Sequence, residues 1–374
     1  MTALSTPIPI LDLTSAEFTR AASTHGVAER DALQVYRRFF REGDATAAAE
    51  RGLPIEVPTA PLVDTLVDTL VDTLGDGAVD GSTRKFILRH DDGLETESVL
   101  IPMEHRTGGL SHTLCVSSQI GCAMGCRFCE TAQMGLMKHL TPGQIVAQWF
   151  AARHVVGQPV KNIVFMGMGE PMDNLDAVLQ SIRILTDHNG ASIAASNISV
   201  STVGHLEGIA RYGAFIEQRG FHRLNLAVSV NAPNDAIRSE IMPINRGAPM
   251  ARLREALLAF PKRPNAAICI EYVLIPGVNS DPSHADELCE WLRPIRSSLN
   301  VIPYNPRRES PWPAPTDEEV DAFVARVQAL GQFVKTRRTK GRSVMAACGQ
   351  LGNAAIRKRR FVGEASLTVG GGEL

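Results

Sequence analysis

Short apolar segments alternate with longer amphipathic segments along the chain from residue 112 onward. The apolar segments predict strands at 113–117, 162–166, 197–201, 225–230, 268–274, 299–304 and 333–336. The amphipathic segments predict helices at 142–156, 175–187, 206–212, 235–241, 250–260, 283–293 and 316–330. This alternation requires parallel strands with right-handed crossovers, in a barrel or in an open doubly wound sheet. Both folds belong to the α/β class, and both place chemistry in the loops after the strands.

The first hundred residues lack this alternation and predict an accessory, mostly helical module. Helices are predicted at 15–25 and 29–41, and a hairpin at 85–89 and 97–101. Between them, the sequence Leu-Val-Asp-Thr is repeated over residues 62–74, so that leucines recur at 62, 66, 70 and 74. A four-residue period predicts a slanting apolar ridge on a packing helix. We therefore divide the chain into an N-terminal module (1–100), a catalytic domain (101–350) and a basic C-terminal tail (351–374).

Charge and hydropathy limit the partners of this chain. The formal net charge is −2, which gives no global support for a nucleic-acid partner. Basic residues nevertheless gather at 335–342 and 357–360, where they form either a solvated face or a phosphate-binding patch. No apolar run approaches the roughly 20 residues that span a bilayer, and residues 1–9 lack the pattern of a signal peptide. The sequence therefore predicts a cytoplasmic protein without a membrane partner.

Three of the seven cysteines follow the first strand of the alternating region, with the spacing Cys122-x3-Cys126-x2-Cys129. Without an export signal, such cysteines are better interpreted as metal ligands or catalytic groups than as disulfides. Structural zinc normally takes a fourth ligand, for which His139 is the local candidate, whereas a 4Fe-4S cluster can leave one iron open for a substrate. The loop glycines permit a tight turn, and Phe128 supplies apolar cover. The pattern favours an iron–sulfur cluster.

This spacing resembles the signature of the radical S-adenosylmethionine superfamily. In that superfamily the open iron binds the amino and carboxylate groups of S-adenosylmethionine, and an electron from the cluster generates a 5′-deoxyadenosyl radical. Residues 166–171, Met-Gly-Met-Gly-Glu-Pro, follow the second predicted strand and resemble the glycine-rich motif that meets the methionine amino group. The resemblance implies a parallel (βα)6-type partial barrel, preceded here by the small helical module.

From residue 113 to residue 350 the sequence is similar to the RlmN/Cfr family, which methylates an adenosine in large-subunit ribosomal RNA. The matching segments are Leu-Cys-Val-Ser-Ser-Gln at 114–119, Glu-Thr-Ala-Gln-Met-Gly at 130–135, Met-Gly-Met-Gly-Glu-Pro at 166–171, Ala-Pro-Asn-Asp at 232–235, Ile-Pro-Tyr-Asn-Pro at 302–306 and Ala-Ala-Cys-Gly-Gln-Leu at 346–351. The resemblance implies methylation of the C2 atom of adenosine, as in RlmN, or of C8, as in Cfr. It implies 23S ribosomal RNA as the substrate, and the sequence leaves transfer RNA open.

Two further cysteines match the residues that carry the mechanism of that family. Cys348 matches the cysteine that one S-adenosylmethionine methylates, while a second supplies the radical that removes a hydrogen from this methyl group before its carbon adds to adenine. Cys115 matches the cysteine that resolves the protein–RNA adduct and leaves a transient disulfide with Cys348. Glu97 matches an acidic residue assigned as a general base, and its alternative role is that of a solvated strand carboxylate.

The resemblance also implies an S-adenosylmethionine site at the ends of successive strands. Its residues would be Gly169, Glu170, Ser201, Ser229, Val230, Asn231 and Asn305. Asn231 departs from the histidine expected there, although an asparagine side chain also donates and accepts hydrogen bonds. We expect an electron donor such as flavodoxin or ferredoxin, and a monomeric enzyme. Cys269 and Cys289 match no motif and are predicted to be core thiols.

The identity of the substrate depends on regions outside the matched motifs. For RNA binding, the basic residues Lys335, Arg337, Arg338, Lys340 and Arg342 are predicted to lie beside the active site and to bind phosphates. A radical methylase of the same mechanism that acts on a small molecule or peptide is an alternative, favoured by the near-neutral charge and the unmatched N-terminal module. A zinc-binding RNA module is a second alternative. It would be colourless, whereas an anaerobically purified iron–sulfur protein is brown.

Overall fold

The structure is a computed structural model, described here for residues 6–57, 62–68, 82–104, 110–263, 266–337 and 345–352. Its strands are β1 (Ile8–Pro9), β2 (Ile55–Glu56), β3 (Leu62–Asp68), β4 (Thr83–Arg89), β5 (Glu95–Glu104), β6 (Leu110–Cys115), β7 (Gln119–Ile120), β8 (Lys138–His139), β9 (Val160–Phe165), β10 (Ile198–Thr202), β11 (Asn225–Ser229), β12 (Ile268–Leu274), β13 (Ser297–Pro303) and β14 (Val334–Thr336). Its helices are α1 (Ser15–Ser23), α2 (Glu29–Glu42), α3 (Thr46–Ala49), α4 (Glu130–Met134), α5 (Pro142–Phe150), α6 (Leu175–Thr186), α7 (Leu206–Ile216), α8 (Asp235–Ile241), α9 (Met250–Ala259), α10 (Pro282–Leu292) and α11 (Asp317–Ala329). None of the helices in these ranges combines the length and the apolarity that a membrane crossing needs.

A ten-stranded sheet, with the order β14-β13-β12-β11-β10-β9-β6-β5-β4-β3, organises the chain. The seven strands from β6 to β14 in this sheet pair in parallel and follow one another in chain order. A doubly wound sheet would reverse its strand order at a switch point. The single direction therefore confirms the parallel α/β fold of the barrel kind. All seven strands and all seven helices predicted from residue 112 onward are present, with small differences at their ends.

The N-terminal helices dock on the outside of this barrel. Helix α1 begins with a capping box, in which Thr14 and Glu17 satisfy each other's backbone amides. Helix α2 packs its aromatic face on α5, where the rings of Phe39 and Phe150 stack with centroids 4.8 Å apart. His154, in a π-helical turn that follows α5, contacts the Phe40 carbonyl at 3.0 Å. Aromatic packing and several long-range hydrogen bonds attach the module to the barrel, among them those from the Ser15 amide to Asp187 at 2.7 Å and from the Gly143 amide to Asp12 at 2.7 Å.

The repeated Leu-Val-Asp-Thr segment is a strand in its described part, so the predicted helix at 62–74 is wrong for residues 62–68. Strand β3 pairs antiparallel with β4. The period of four is also twice the two-residue period of a strand, and half of the repeat is β-branched valine or threonine, which fit a pleated surface. Leucines 70 and 74 lie outside the described residues.

The predicted hairpin is confirmed, because β4 and β5 pair antiparallel from Arg84 with Leu100 to Arg89 with Glu95. Strand β5 then pairs antiparallel with β6, the first parallel strand of the barrel. Strands β3 to β5 therefore extend the barrel sheet, and β5 runs through residue 100, where we placed the boundary of the accessory module. The helical content of that module lies in residues 15–49. The division at residues 100 and 350 stays a prediction.

Candidate active site

A cavity lies at the carboxyl ends of the parallel strands. Ten of the predicted site residues line it, namely Cys115, Cys122, Cys126, Cys129, Gly169, Glu170, Ser201, Ser229, Asn231 and Cys348. A second, adjoining cavity of about 510 Å³ contains Asn305 and shares Cys348 with the first. Val230 is fully buried, and neither Val230 nor Glu97 is among the lining residues of either cavity.

The loop that carries Cys122, Cys126 and Cys129 is held in a tight path by its backbone. Gly121 has φ +74°, and a Cβ there would lie 1.8 Å from the Gly135 carbonyl oxygen. Only glycine fits this position without strain. The Cys122 amide donates to the Gly135 carbonyl at 3.2 Å, and the Arg127 amide donates to the Ile241 carbonyl at the end of α8 at 2.9 Å. The loop is therefore fixed from both sides.

Cys122, Cys126 and Cys129 line one cavity, an arrangement that suits a cluster with several iron atoms. Among the described residues, no three His, Cys, Asp or Glu side chains converge closely enough to hold one metal ion. A cubane is held at three separate corners, so its ligands need not converge on one point. His139, the candidate fourth ligand for zinc, instead contacts Gln119 at 3.1 Å. Burial raises the pKa of the thiols of Cys122, Cys126 and Cys129, so these groups are neutral unless a cation binds them.

The glycine-rich segment after β9 is locked against the cluster loop. Gly169 has φ +101°, and a Cβ there would lie 2.5 Å from the side chain of Gln119. Gln119 accepts a hydrogen bond from the Glu170 amide at 2.8 Å and donates to Asp173 at 3.0 Å. The Glu170 carboxylate accepts from the amides of Met172 and Val203, at 3.0 and 2.9 Å, while burial raises its pKa to about 7. Glu170 thus joins the ends of β9 and β10.

The segment that carries Cys348 is bonded to the cluster loop. The Glu130 amide, at the start of α4, donates to the Gly349 carbonyl at 2.7 Å, and the Thr131 hydroxyl donates to the Leu351 carbonyl at 2.6 Å. Arg308 Nη1 donates to the Gly352 carbonyl at 3.1 Å. Since α4 follows Cys129 directly, these bonds set Cys348 at a fixed place relative to the cluster ligands.

Glu97 is buried and paired rather than solvated. Its Oε2 atom lies 3.4 Å from Lys85 Nζ, and both side chains are only 6% exposed. The same oxygen accepts a hydrogen bond from the Gly352 amide at 3.1 Å. Burial raises the pKa of Glu97, and the nearby Lys85 ammonium lowers it in part. The Glu97 side chain therefore contacts the backbone of the segment that carries Cys348. Lys85 is a site residue that the sequence did not indicate.

The sequence prediction also missed Glu271, a buried carboxylate on β12 that lines both cavities. Glu271 Oε2 accepts hydrogen bonds from the hydroxyls of Ser201 at 3.0 Å and Ser229 at 3.1 Å. Its Oε1 lies 3.9 Å from Arg337 Nη1. A signal for Glu271 existed, because it is the single charged residue in the apolar strand Ile-Cys-Ile-Glu-Tyr-Val-Leu.

Arg337 lies inside the active site, where it lines both cavities with Cys348. The Arg337 cation lowers the pKa of Cys115, which burial raises to about 12. The placement of this residue beside the active site agrees with the sequence prediction. Arg338, Lys340 and Arg342 lie outside the described residues. Cys269, predicted to be a core thiol, instead lines the second cavity, whereas Cys289 is half-buried against the core.

Comparison with known proteins gives concordant results. Residues 116–291 match the Radical SAM superfamily. The chain is 40% identical over 358 residues to a probable dual-specificity RNA methyltransferase RlmN 1 of Protochlamydia amoebophila, covering 95% of this chain and 96% of that protein. It is 38% identical over 348 residues to the dual-specificity RNA methyltransferase RlmN of Geobacter sulfurreducens, covering 93% of each. The crystal structure of a radical SAM methyltransferase from Sphaerobacter thermophilus superposes with a TM-score of 0.79 at 34% identity, over 92% of this chain and 99% of that one.

Proposed function

The chain belongs to the RlmN family of radical S-adenosylmethionine RNA methyltransferases, and from this premise we propose that it methylates the C2 atom of an adenosine in 23S ribosomal RNA and in transfer RNA. The names of its relatives favour C2 over the C8 chemistry of Cfr. The observation that carries the proposal is the convergence of Cys115, Cys348 and the three cluster cysteines on one cavity.

The cofactors of the proposed reaction are a 4Fe-4S cluster and two molecules of S-adenosylmethionine per turnover. When bound, they supply the electron transfer and the 5′-deoxyadenosyl radical. Cys122, Cys126 and Cys129 would hold the cluster. Gly169, Glu170, Ser201, Ser229, Val230, Asn231 and Asn305 would hold S-adenosylmethionine. Because the hydroxyls of Ser201 and Ser229 donate to Glu271, that carboxylate would orient them. Flavodoxin or ferredoxin would deliver electrons to the enzyme, which we propose is a monomer.

Cys348 and Cys115 would carry the methyl group and release the product. Cys348 would accept a methyl group, lose one hydrogen from it, and bond through that carbon to the adenine ring. The adduct would lose the ring hydrogen as a proton and give one electron back to the cluster, which restores the aromatic ring. The Cys115 thiolate would then attack the Cys348 sulfur: the S–S bond forms, the bond from that sulfur to the methylene carbon breaks, and the carbon takes up a proton to become the methyl group of the freed base. Formation of the disulfide needs the Cys115 thiolate, and burial opposes it by raising the pKa of Cys115 to about 12. Arg337 lowers this pKa, so we assign it the role of favouring the Cys115 thiolate.

Glu97 would act as the general base, although its carboxylate is occupied by Lys85 and the Gly352 amide in this state. A pKa raised by burial suits a carboxylate that must accept a proton near neutral pH. Through its hydrogen bond with the Gly352 amide, the Glu97 carboxylate contacts the segment that carries Cys348. We therefore expect Glu97 to serve proton transfer at that segment.

We place the RNA on the side of the barrel where the parallel strands begin. The second cavity extends from Cys348 to Asn197 and Asn225 at the amino ends of β10 and β11, and its volume of about 510 Å³ suits an extruded nucleotide. Exposed cations lie around this edge, one near the start of β9 and three in the loops that lead into β11, β12 and β13. They are Lys161, Arg223, Lys262 and Arg296.

These four cations are available for phosphates. The salt bridges of the described residues involve none of them. The four cations are far apart in the chain, so the sequence shows no run of basic residues that would reveal them. Replacing Lys262 and Arg296 by alanine should weaken RNA binding and lower its salt slope by roughly 0.7–0.9 per lost contact. The control is Arg293→Ala, because Arg293 pairs with Glu290. Wild-type binding by the double variant at every salt concentration would place the RNA elsewhere.

The proposed function is tested by anaerobic turnover with the reconstituted enzyme, S-adenosylmethionine, a reductant and ribosomal RNA. Mass spectrometry of the digested RNA should show 2-methyladenosine. The Cys348→Ala variant should form none, and Cys115→Ala should retain a full cluster but accumulate RNA covalently attached to the protein. Unmodified RNA with an active, fully loaded enzyme would refute the substrate, and methylation by Cys348→Ala would refute the mechanism.

A further inference from the structure

Arg238 on α8 is the largest fully buried side chain in the described structure, with 0% exposure. Its Nε donates to the Val230 carbonyl at 3.0 Å, and its Nη1 to Asn245 Oδ1 at 3.0 Å. Its Nη2 donates to the carbonyls of Val203 at 2.5 Å and Ser229 at 3.3 Å. All four acceptors are neutral.

This environment satisfies the hydrogen bonds of Arg238 but leaves its charge without a direct counterion. No salt bridge among the described residues involves it, and Asp235, the carboxylate that acts on it, accepts bonds from Asn245 and the Met250 amide instead. A buried cation without an opposite charge is strongly unfavourable. Additional negative charge near Arg238 would therefore stabilise its buried cation.

The cluster loop lies on the side where that charge would arise. Helix α8 ends at Ile241, and the carbonyl of Ile241 accepts a hydrogen bond from the Arg127 amide. Arg127 lies between Cys126 and Cys129 in the cluster loop. Ile241 and Met242 pack in one apolar cluster with Cys126. Val203 and Ser229, whose carbonyls accept from Arg238, line the same cavity as Cys122, Cys126 and Cys129. A cluster held by these cysteines would bring the negative charge of its thiolate ligands to this cavity.

We propose that Arg238 is the counterion of the iron–sulfur cluster: its fixed positive charge offsets the thiolate of Cys126 and favours the reduced cluster. Reduction adds one electron, and so one negative charge, to the cluster, and a nearby cation stabilises that form. The inference rests on the proposed cluster site. The carbonyl bonds from β10 and β11 hold the guanidinium in place, so Arg238 is a positioning and tuning residue rather than a group that contacts substrate.

The test is the midpoint potential of the cluster in the reconstituted full-length protein, measured by spectroelectrochemistry with the reduced state followed by electron paramagnetic resonance. Arg238→Gln should lower the equilibrium constant for one-electron reduction at least tenfold, which is a shift of about 59 mV to lower potential. Arg238→Lys keeps the charge and should remain close to the wild type. Iron and sulfide analysis of each preparation should show a full cluster.

The matched control is Arg263→Gln. Arg263 is a partly buried arginine that also donates to a backbone carbonyl, that of Leu224, and to the side chain of Asn225, at the opposite end of β11. Its loss should leave the potential unchanged. An unchanged potential in fully loaded Arg238→Gln, or an equal shift in Arg238→Gln and Arg238→Lys, would overturn the proposal. If Arg238→Gln does not fold, Arg238→Lys decides alone, since a tenfold loss there would exclude a charge effect. A wild-type protein that binds no cluster would instead refute the proposed function.

Discussion

The buried pair Lys85–Glu97 allows a quantitative test of the site. Replacing Lys85 by methionine keeps the aliphatic stem but leaves Glu97 without its cation, with the Gly352 amide as a remaining partner. At 3.4 Å, two unit charges interact by about 5 kcal/mol at an effective dielectric constant of about 20. Removal of one member of a buried pair costs about 3–5 kcal/mol in other proteins. Because both side chains are almost fully buried, we expect Lys85→Met to destabilise the chain by about 3–5 kcal/mol at pH 8.

The pH dependence has a definite sign. Burial raises the pKa of Glu97, so the folded state binds this proton more tightly than the unfolded state does. The stability from Glu97 is present below its unfolded pKa and is lost as the pH rises through the folded pKa. Without Lys85 the folded pKa rises further. The destabilisation by Lys85→Met should therefore be larger at pH 8 than at pH 5.5.

The assay is urea unfolding of the cluster-free protein under anaerobic conditions, followed by the fluorescence of its three tryptophans. The double variant Lys85→Met/Glu97→Gln removes both charges and should recover most of the loss. A loss below about 1 kcal/mol, as found for surface pairs, would show that the pair is not desolvated. Equal losses at both pH values would refute the assignment of the effect to Glu97.

Three further outcomes follow from the geometry of the site. Gly121→Ala should sharply reduce iron loading, because its Cβ would collide with the Gly135 carbonyl, whereas Gly157→Ala, with a similar φ of +75° but open space, should load normally in the same iron assay. Arg337→Gln should shift the alkylation of Cys115 to higher pH, because it removes a cation that lowers this thiol's pKa, and an unchanged alkylation profile would contradict that role. Cys129→Ala should abolish cluster assembly, and full iron content in that variant would disprove the ligand set.

The local sequence pattern predicted most of the strands and helices of the fold. The inward and outward sides of strands and helices impose periods of 2 and 3.6 on the sequence, so the alternation after residue 112 predicted each parallel strand. The spacing of Cys122, Cys126 and Cys129 likewise predicted a shared site, since three cysteines within eight residues of chain can surround one small object wherever the loop lies. The spacing of the three cysteines and the alternation of strands and helices are properties of contiguous sequence.

The LVDT repeat shows where such patterns stop being decisive. A period of four is close to one helical turn and is also an even multiple of the strand period, so the segment alone satisfies both interpretations. The partner strand β4 offers a row of backbone hydrogen bonds, and this pairing makes residues 62–68 a strand. Register between strands is a tertiary property, and the sequence of one strand does not contain it.

Tertiary structure also determines which charged side chains are buried in the site, because these side chains come from separate strands. Lys85 and Glu97 are 12 residues apart on antiparallel strands, and Arg337 reaches Glu271 from the last strand of the sheet. Glu271 stands out in sequence as the single charge of an apolar strand, but Lys85, Glu97 and Arg337 are charged residues for which exposure is the normal expectation. Only the folded sheet removes them from water and brings opposite charges together. The sequence by itself therefore determined the parallel α/β fold and the close spacing of three cysteines, while packing decided which charges are buried, because the dielectric environment of a side chain depends on neighbours distant in the chain.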